Sequence, residues 1–308
     1  MSYTKKTLKD LTIRDNFLFA AVMQQEDNCK QFLEMLLDIQ IERIDIQYEK
    51  TLIFNPEYKG IRMDVYARDE MHTCYNIEMQ VASMDLSKRS RYYHSQIDME
   101  LLNRGEDYDC LSSSYVIFIC DFDPFNLRRY CYSFENICLE ETGLKLQDGN
   151  RTIFLSTRGE NPEDISPHLL NFLTFVRENN PLEHKDYHDS YVSQLQNSIF
   201  QIKQNQELGS RYMLLELMLK DEYKKGILEG KAEGKIEGKA EGKIEGKAEG
   251  KAESIIHILQ ASNIVSEELR SYILKQSDDD ILTDMLLKAA SAHSIEQFME
   301  SISFKSNL

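Results

Sequence analysis

The sequence predicts an α/β fold over its first 180 residues, followed by a helical region. Short strand-like apolar runs alternate with runs at helical spacing up to Asn161-Pro162, and helical patterns follow from there. From Gly226 to Gly250 a glycine recurs at every fourth residue, in units such as KAEG and KIEG. These observations predict a mixed core and a separate helical tail.

The N-terminal part begins with helical patterns. Asp15-Asn16 precedes an apolar run at 17–22, which indicates a capped helix start. A second helical run covers Gln31–Leu37, and partial alternation over Ile41–Phe54 predicts a strand that ends at Asn55-Pro56.

The stretch Gly60–Val81 predicts a β-hairpin that turns around Asp69–His72. Alternation places apolar side chains on one face and polar ones on the other, including Asp64, Asn76, Glu78 and Gln80. The polar faces of the two strands lie on the same side of the sheet only if Asp64 lies opposite Asn76 or Glu78. A slip by one residue would move the polar residues of one strand to the apolar side. Two carboxylates on one face suit Mg²⁺ or Mn²⁺. The alternative is a solvated sheet face without a ligand.

The remaining elements follow in order. An apolar stripe over Ser87–Arg104 predicts a helix capped by Gly105, and the continuous apolar run Tyr115–Cys120 predicts a strand covered on both faces. Further strands are predicted at Arg129–Cys138 and Thr152–Ser156, and further helices at Ile165–Glu178, Tyr191–Lys225 and within 252–303.

The glycine repeat gives conflicting signals. Each glycine inside a helix costs about 1 kcal/mol relative to alanine, and no wide apolar face forms. We therefore predict a marginal extended helix or a spacer, which pairing with another chain could order. The predicted division is a core at 1–180, a helical extension at 181–225, the repeat at 226–251 and a C-terminal helical segment at 252–308.

Composition limits the class of protein. The 308 residues carry a net charge of −16, which argues against a protein that coats DNA without sequence preference. Six cysteines lack metal-type spacing and suggest reduced thiols in the cytoplasm. We expect neither a signal peptide nor a membrane span, because no apolar run is long enough. The histidines have no spacing typical of zinc ligands.

Several motifs in a fixed order carry a family resemblance. Asp64, then YNIEMQ at 75–80, then RSRYY at 89–93, resembles the PD-(D/E)XK nuclease superfamily, and within it the recombination-promoting nuclease and transposase family. The DNFLF segment at 15–19, Tyr108 after Gly105, the strand ending at Asp121-Phe122 and the EGKAEG tail are similar to that family as well. The resemblance covers roughly residues 12–180, and the order is more specific than any single motif.

The resemblance implies a restriction-endonuclease-like core, a mixed sheet flanked by helices, and metal-dependent cleavage of DNA. Asp64 and Glu78 take the positions of the two acids, and the Met79 carbonyl that of a backbone metal ligand. Gln80 stands where the wider superfamily usually has lysine, and Met63 stands where it has proline. Glutamine can orient a water or a phosphate oxygen but carries no charge.

Further candidates have structural alternatives. Asp15 could bind a metal or simply cap its helix. Arg89, Arg91, Tyr92 and Gln96 flank the stripe of the 87–104 helix, where they could contact DNA phosphates or form a solvated flank. Asp121 and Asp123 end a buried strand, and we interpret them as loop acids.

Two functions follow from the sequence. The first is a Mg²⁺- or Mn²⁺-dependent DNA endonuclease linked to recombination or mobile elements. The second is a non-catalytic self-associating scaffold or DNA-remodelling protein that uses its helical tail. In both, we expect a homo-oligomer formed through the C-terminal helical region. No helix-turn-helix or zinc finger is evident to recognise the ends of a mobile element.

Overall fold

The computed structural model describes residues 6–48, 50–52, 60–178, 185–261 and 265–304. The chain divides into two compact units, Met1–Glu216 and Leu217–Leu308. The finer division predicted from the sequence stays a prediction.

Eight strands lie among the described residues of the first unit. They are β1 (Ile44–Tyr48), β2 (Thr51–Leu52), β3 (Ile61–Arg62), β4 (Val65–Asp69), β5 (Cys74–Gln80), β6 (Ser114–Cys120), β7 (Cys131–Phe134) and β8 (Asn150–Ser156). Strands β2 and β3 form a small antiparallel pair, and the other six form one sheet in the order β1-β4-β5-β6-β8-β7. The central strands β5, β6 and β8 are parallel, whereas β1, β4 and β7 pair antiparallel to their neighbours. This mixed sheet confirms the predicted α/β core.

The helices are α1 (Asn16–Met23), α2 (Glu26–Leu37), α3 (Ser87–Leu101), α4 (Pro167–Glu178), α5 (Ser190–Gln204), α6 (Gln206–Gln260), α7 (Glu267–Leu274), α8 (Asp279–Ser291) and α9 (Ile295–Ser301). Several boundaries differ from the predictions. The single helix predicted over Tyr191–Lys225 is divided at Asn205 into α5 and α6, and α6 continues to Gln260. Helix α4 begins at Pro167 and not at Ile165. Helix α2 begins at Glu26, five residues before the predicted start. Helix α3 ends at Leu101, so Gly105 does not cap it but adopts a φ of 93° in the turn beyond.

The long strand predicted over Ile41–Phe54 is interrupted. Strand β1 ends at Tyr48, Lys50 lies in no strand, and β2 covers Thr51–Leu52, where this described range ends. The predicted end at Asn55-Pro56 lies outside the described residues. Strand β7 is shorter than predicted, while β8 begins two residues earlier than predicted.

The predicted hairpin and its register are confirmed, but the predicted alternation fails at the break between β3 and β4. Ile61 and Met63 pack in the core that contains Tyr66, and not with Val65 as predicted. Val65 pairs with Ile77 and Tyr66 with Asn76, so continuing the ladder by one residue places Asp64 opposite Glu78. The turn is closed by the Asp69 N–H, which donates to the Thr73 carbonyl at 3.2 Å.

Both faces of the sheet are covered. One face packs with α1, α2, α4 and α5 in a core that includes Val65, Ile77 and Met79. The opposite face packs under α3 in a second core that includes Tyr66 and Phe118. The alternative of a solvated polar face is therefore wrong: α3 covers that face, and Glu78 is only 1% exposed.

A buried polar network fixes α3 to the sheet. His94 Nδ1 lies 2.7 Å from Ser114 Oγ on β6, and His94 Nε2 lies 3.0 Å from Thr152 Oγ1 on β8. The Ser114 hydroxyl also donates to Asn150 Oδ1 at 2.7 Å. Burial disfavours the charged imidazolium and lowers the pKa of His94 to about 4. The network therefore holds a neutral histidine.

We expect this histidine to make the first unit acid-sensitive. An unfolded histidine has a pKa of about 6.5, so between about pH 6.5 and pH 4 the unfolded state binds a proton that the folded state excludes. Stability should therefore fall as pH decreases through that window. Replacing His94→Asn should lower Tm at pH 7.5, because hydroxyl partners are lost, and should flatten the Tm decrease between pH 6.5 and 4.5.

The matched control is His72→Asn. His72 is exposed at a left-handed turn position, with a φ of 65°, that asparagine also tolerates. Scanning calorimetry across pH should show the wild-type slope in this control. An unchanged slope in the His94→Asn protein would contradict the assignment.

The second unit contains most of α6 together with α7, α8 and α9. Its core joins the end of α6 to the three short helices, through residues such as Ile255, Leu269, Leu282 and Phe298. Helix α6 runs through the repeat, and a Cβ added at any repeat glycine would meet no atom within 4 Å. Across the part of the chain that the structure describes, no helix has the length and apolar composition to cross a membrane.

Candidate functional site

Asp64 and Glu78 meet at a break between two strands. Strand β3 ends at Arg62 and β4 begins at Val65, which leaves the Asp64 N–H outside the ladder. This N–H donates to Glu78 Oε1 at 3.2 Å, and the Met79 N–H donates to Asp64 Oδ2 at 3.1 Å. Each carboxylate is thus held by the backbone of the segment that carries the other acid.

The Met79 carbonyl points to the same edge of β5. The N–H and C=O of one residue in a strand share an edge, and the Met79 N–H faces Asp64. The next residue faces the other way, since the Gln80 carbonyl accepts from the Asp121 N–H of the β6 end at 2.9 Å. The carboxylates of Asp64 and Glu78 and the main-chain carbonyl of Met79 therefore converge at the edge of β5 that faces Asp64.

Helix α3 adds a cation and a hydroxyl to this group. Arg89 Nη2 donates to Glu78 Oε2 at 3.0 Å, and Arg89 Nη1 donates to Gln80 Oε1 at 3.5 Å. The Tyr93 hydroxyl donates to Glu78 Oε2 at 3.4 Å and accepts from Arg89 Nε at 2.8 Å. Gln80 Nε2 also donates to Glu78 Oε2 at 3.4 Å. The Glu78 carboxylate is the centre of the network.

The two acids carry raised pKa values. Burial is the largest cause for each, because it disfavours the charged carboxylate. The charge of Asp64 raises the pKa of Glu78 further, while Arg89 lowers the pKa of both without offsetting burial. A perturbed acid pair of this kind is typical of functional sites.

The donor set fits a hard divalent cation. Mg²⁺ takes oxygen ligands and commonly binds one or two carboxylates while keeping several waters. Asp64, Glu78 and the Met79 carbonyl supply such oxygens. Within the described residues, no group of three or more His, Cys, Asp or Glu side chains could hold a metal. The remaining ligands would have to come from water or substrate.

Asn76 is a buried polar residue beside the two acids. It lies on the same face of β5 as Glu78, two residues away, and is completely buried. Its amide lies close enough to Glu78 to lower the pKa of that carboxyl, but among the described residues neither amide atom has a partner at full hydrogen-bond geometry. Leaving such a group unpaired costs about 1–3 kcal/mol, so the site favours a polar occupant such as an ordered water.

Asp15 and its neighbour have different partners. The Asp15 carboxylate accepts from the Thr12 N–H at 2.7 Å and from Lys6 Nζ at 3.2 Å, and it makes no capping bond to α1. Asn16 instead reaches the site and donates to Asp64 Oδ1 at 3.4 Å. The metal role of Asp15 stays a prediction.

The residues predicted to contact DNA are dispersed around α3. Arg89 turns inward to Glu78, whereas Arg91 is exposed and Tyr92 is half-buried. Gln96 is 8% exposed and its amide donates to Met99 Sδ at 3.9 Å, which leaves little surface for a phosphate. The DNA contacts of Arg91, Tyr92 and Gln96 stay predictions.

The Asp121 carboxylate binds neighbouring protein side chains. It accepts from Arg14 Nη1 at 2.9 Å, from the Thr157 hydroxyl at 2.9 Å and from Arg158 Nη2 at 3.1 Å. Asp123 accepts from the Tyr132 hydroxyl at 2.7 Å in the following loop. These contacts support the interpretation of both residues as loop acids.

Sequence reasoning missed the roles of Asn16 and Tyr93. Tyr93 falls on the apolar stripe of α3, and that pattern does not reveal that its hydroxyl reaches Glu78. A usable signal was its spacing of four residues from Arg89, which places both side chains on one helix side. Asn16 offered no local signal, because its partner is 48 residues away.

Comparison with known proteins identifies the family. The model of the PD-(D/E)XK nuclease family transposases matches residues 14–225, which contain the whole mixed sheet and the acid pair. No curated protein and no solved structure matches the chain. The family match confirms the resemblance seen in the motif order, and the chain therefore belongs to the PD-(D/E)XK nuclease family transposases.

Proposed function

We propose that this chain is a Mg²⁺- or Mn²⁺-dependent endonuclease that hydrolyses phosphodiester bonds of DNA and acts in recombination or mobile-element activity. The observation that carries the proposal is the pairing of Asp64 and Glu78 through reciprocal backbone hydrogen bonds of 3.2 and 3.1 Å. Family membership supports the nuclease class.

Each site residue has a role in this proposal. Asp64, Glu78 and the Met79 carbonyl would hold the cation, which when bound would lower the pKa of a water and stabilise charge on the phosphate. Gln80 orients the attacking water or a phosphate oxygen through its amide. In the reaction the water oxygen bonds to phosphorus and the ester P–O bond breaks. One water proton ends on the leaving oxygen, so a diester becomes a monoester and an alcohol.

The charge balance of the chain suits local rather than extensive DNA contact. With a net charge of −16, association with DNA should be slow except where basic side chains are concentrated. Arg91 is exposed on α3, two residues after Arg89, and together with Tyr92 it can seat the DNA backbone.

The test is cleavage of supercoiled plasmid by the purified full-length protein. Nicked or linear DNA should form with Mg²⁺ or Mn²⁺ and should not form with EDTA. Absence of cleavage with either ion would reject the nuclease proposal.

A second proposed property is self-association through α6. In the second unit this helix exposes large apolar side chains, including Leu217, Met218, Tyr223 and Leu228, each more than half exposed. Water-exposed apolar residues on one helix favour pairing with another copy of the chain. The homo-oligomer, and a scaffold function in place of catalysis, both depend on this surface.

We expect Leu228→Lys to reduce the mass measured by light scattering, because a buried lysine would oppose pairing. Glu229→Lys is the matched control, since it introduces the same side chain at the neighbouring exposed position. If both variants keep the wild-type mass, Leu228 does not contribute to an interface. A monomeric wild type would remove the scaffold proposal.

A further inference from the structure

Helix α3 supplies a guanidinium group to the site, from outside the strand that carries Glu78 and Gln80. Arg89 lies in the first turn of α3, nine residues after Gln80 in the chain. Its two terminal nitrogens contact Glu78 at 3.0 Å and Gln80 at 3.5 Å. The guanidinium therefore occupies the space beside position 80, where the strand itself provides an uncharged amide.

The arginine is fixed rather than free to rotate. Its Nε donates to the Tyr93 hydroxyl at 2.8 Å, and Nη2 contacts the same oxygen. Tyr93 is 4% exposed, and its ring stacks on Phe118 of β6 with centroids 6.2 Å apart. A buried tyrosine thus aims the arginine fork at the acids, while 35% of the arginine side chain stays accessible.

The charges of the site leave a role for the positive charge of Arg89. Two carboxylates balance one divalent cation, so nothing in that set offsets the phosphodiester charge or the further charge that develops as water adds to phosphorus. Arg62 also lowers the pKa of Asp64, and Arg89 donates hydrogen bonds to both Glu78 and Gln80.

We infer that Arg89 supplies the positive charge that a lysine at position 80 would otherwise supply, with Gln80 and Tyr93 as positioning residues for its guanidinium. Arg89 is then a catalytic residue that contacts the scissile phosphate. This inference rests on the proposed nuclease function, and it changes Arg89 from a general contact with the DNA backbone into part of the reaction centre.

The experiment relocates the charge. We compare the wild type with Arg89→Met, Gln80→Lys and the double variant that carries both changes, and Lys88→Met is the control that removes an adjacent exposed cation. Removing one preorganised charge partner should slow cleavage by about 10²–10³-fold. The double variant should recover at least about tenfold over Arg89→Met, a part of that loss. The Lys88→Met protein should cleave like the wild type.

A metal-free readout accompanies the rates. At pH 8 with EDTA, Arg89→Met should unfold several degrees below the wild type, because Glu78 loses its ion pair. The double variant should regain Tm, since the lysine introduced at position 80 would face Glu78 on the same side of β5. Titration calorimetry with Mn²⁺ should show that Arg89→Met still binds the ion. Retained binding would mean that Arg89 acts on the phosphate and is not needed to hold the metal ligands in place.

Each result decides the inference. Wild-type cleavage by Arg89→Met would overturn it, and so would a double variant that recovers neither rate nor Tm. If Arg89→Met does not fold, Arg89→Lys replaces it and should keep Tm and more than a tenth of the rate; retained Tm with a rate below that limit would overturn the inference. If the wild type itself does not cleave, the nuclease proposal fails, while the Tm series still decides whether positions 80 and 89 are electrostatically equivalent.

Discussion

Replacing Asp64→Asn should abolish metal-dependent cleavage, with a loss of at least about 10³-fold, while raising the metal-free Tm at pH 8. Asparagine has nearly the same shape and keeps an oxygen that can accept from the Met79 N–H, which lies 3.1 Å from the carboxylate. It lacks the charge needed to bind a divalent cation and to activate water.

The gain in Tm follows from the burial of the Asp64 carboxylate. Burial raises the pKa of Asp64, so above that pKa the folded state holds a carboxylate that the unfolded state solvates better. Glu78 lies beside it and repels it. Removing one charge relieves this repulsion. The charged pair of the wild type therefore lowers the stability of the protein, but it allows the site to bind a cation.

Asp45→Asn is the matched control. Asp45 lies on β1 of the same sheet and is exposed, so its replacement removes an equal charge without touching the acid pair. Rates come from plasmid nicking with Mn²⁺, and Tm comes from scanning calorimetry. Wild-type cleavage by the Asp64→Asn protein would refute the role of Asp64.

The central part of the fold could be predicted from local pattern. The alternation of 60–81 predicted the hairpin and, through the requirement for equal parity, limited the partner of Asp64 to Asn76 or Glu78. The observed ladder selects Glu78, and the break between β3 and β4 was not predicted. The continuous run at 115–120 predicted a strand covered on both faces, and β6 is parallel to both of its neighbours and buried. These signals work because side-chain direction is set by the strand itself.

The coverage of the acidic face could not be predicted in the same way. Burial of Glu78 depends on α3 packing across the sheet, which is a tertiary contact without a signal in the strand. The same packing turns Arg89 inward and buries Gln96, although both lie on a helix flank that the pattern predicts to be polar. Docking geometry, rather than periodicity, decides which polar residues of a helix reach the site.

Binding of Mn²⁺ should raise the Tm of the first unit, and the increase should be larger at pH 8 than at pH 6. The pKa values of Asp64 and Glu78 are raised, so in the metal-free protein their contribution to stability is highest at low pH and decreases as pH rises from the unfolded pKa, near about 4, through the folded values. A cation competes with these protons, because carboxylates bind it only when ionised. Metal should therefore reverse the pH dependence that the acid pair produces alone.

The size of the effect follows from mass action. At a free ion concentration about 100 times Kd, binding to the folded state alone adds about 2.7 kcal/mol, and protonation at pH 6 reduces this gain by weakening the apparent affinity. Calorimetric scans with Mn²⁺ or EDTA at both pH values measure it, and the Asp64→Asn protein, which should show no gain at either pH, is the control. An equal gain at pH 6 and pH 8, or one that persists without Asp64, would place the bound ion elsewhere. A gain that requires Asp64 and grows with pH would mean that the buried acid pair binds the ion in its ionised form.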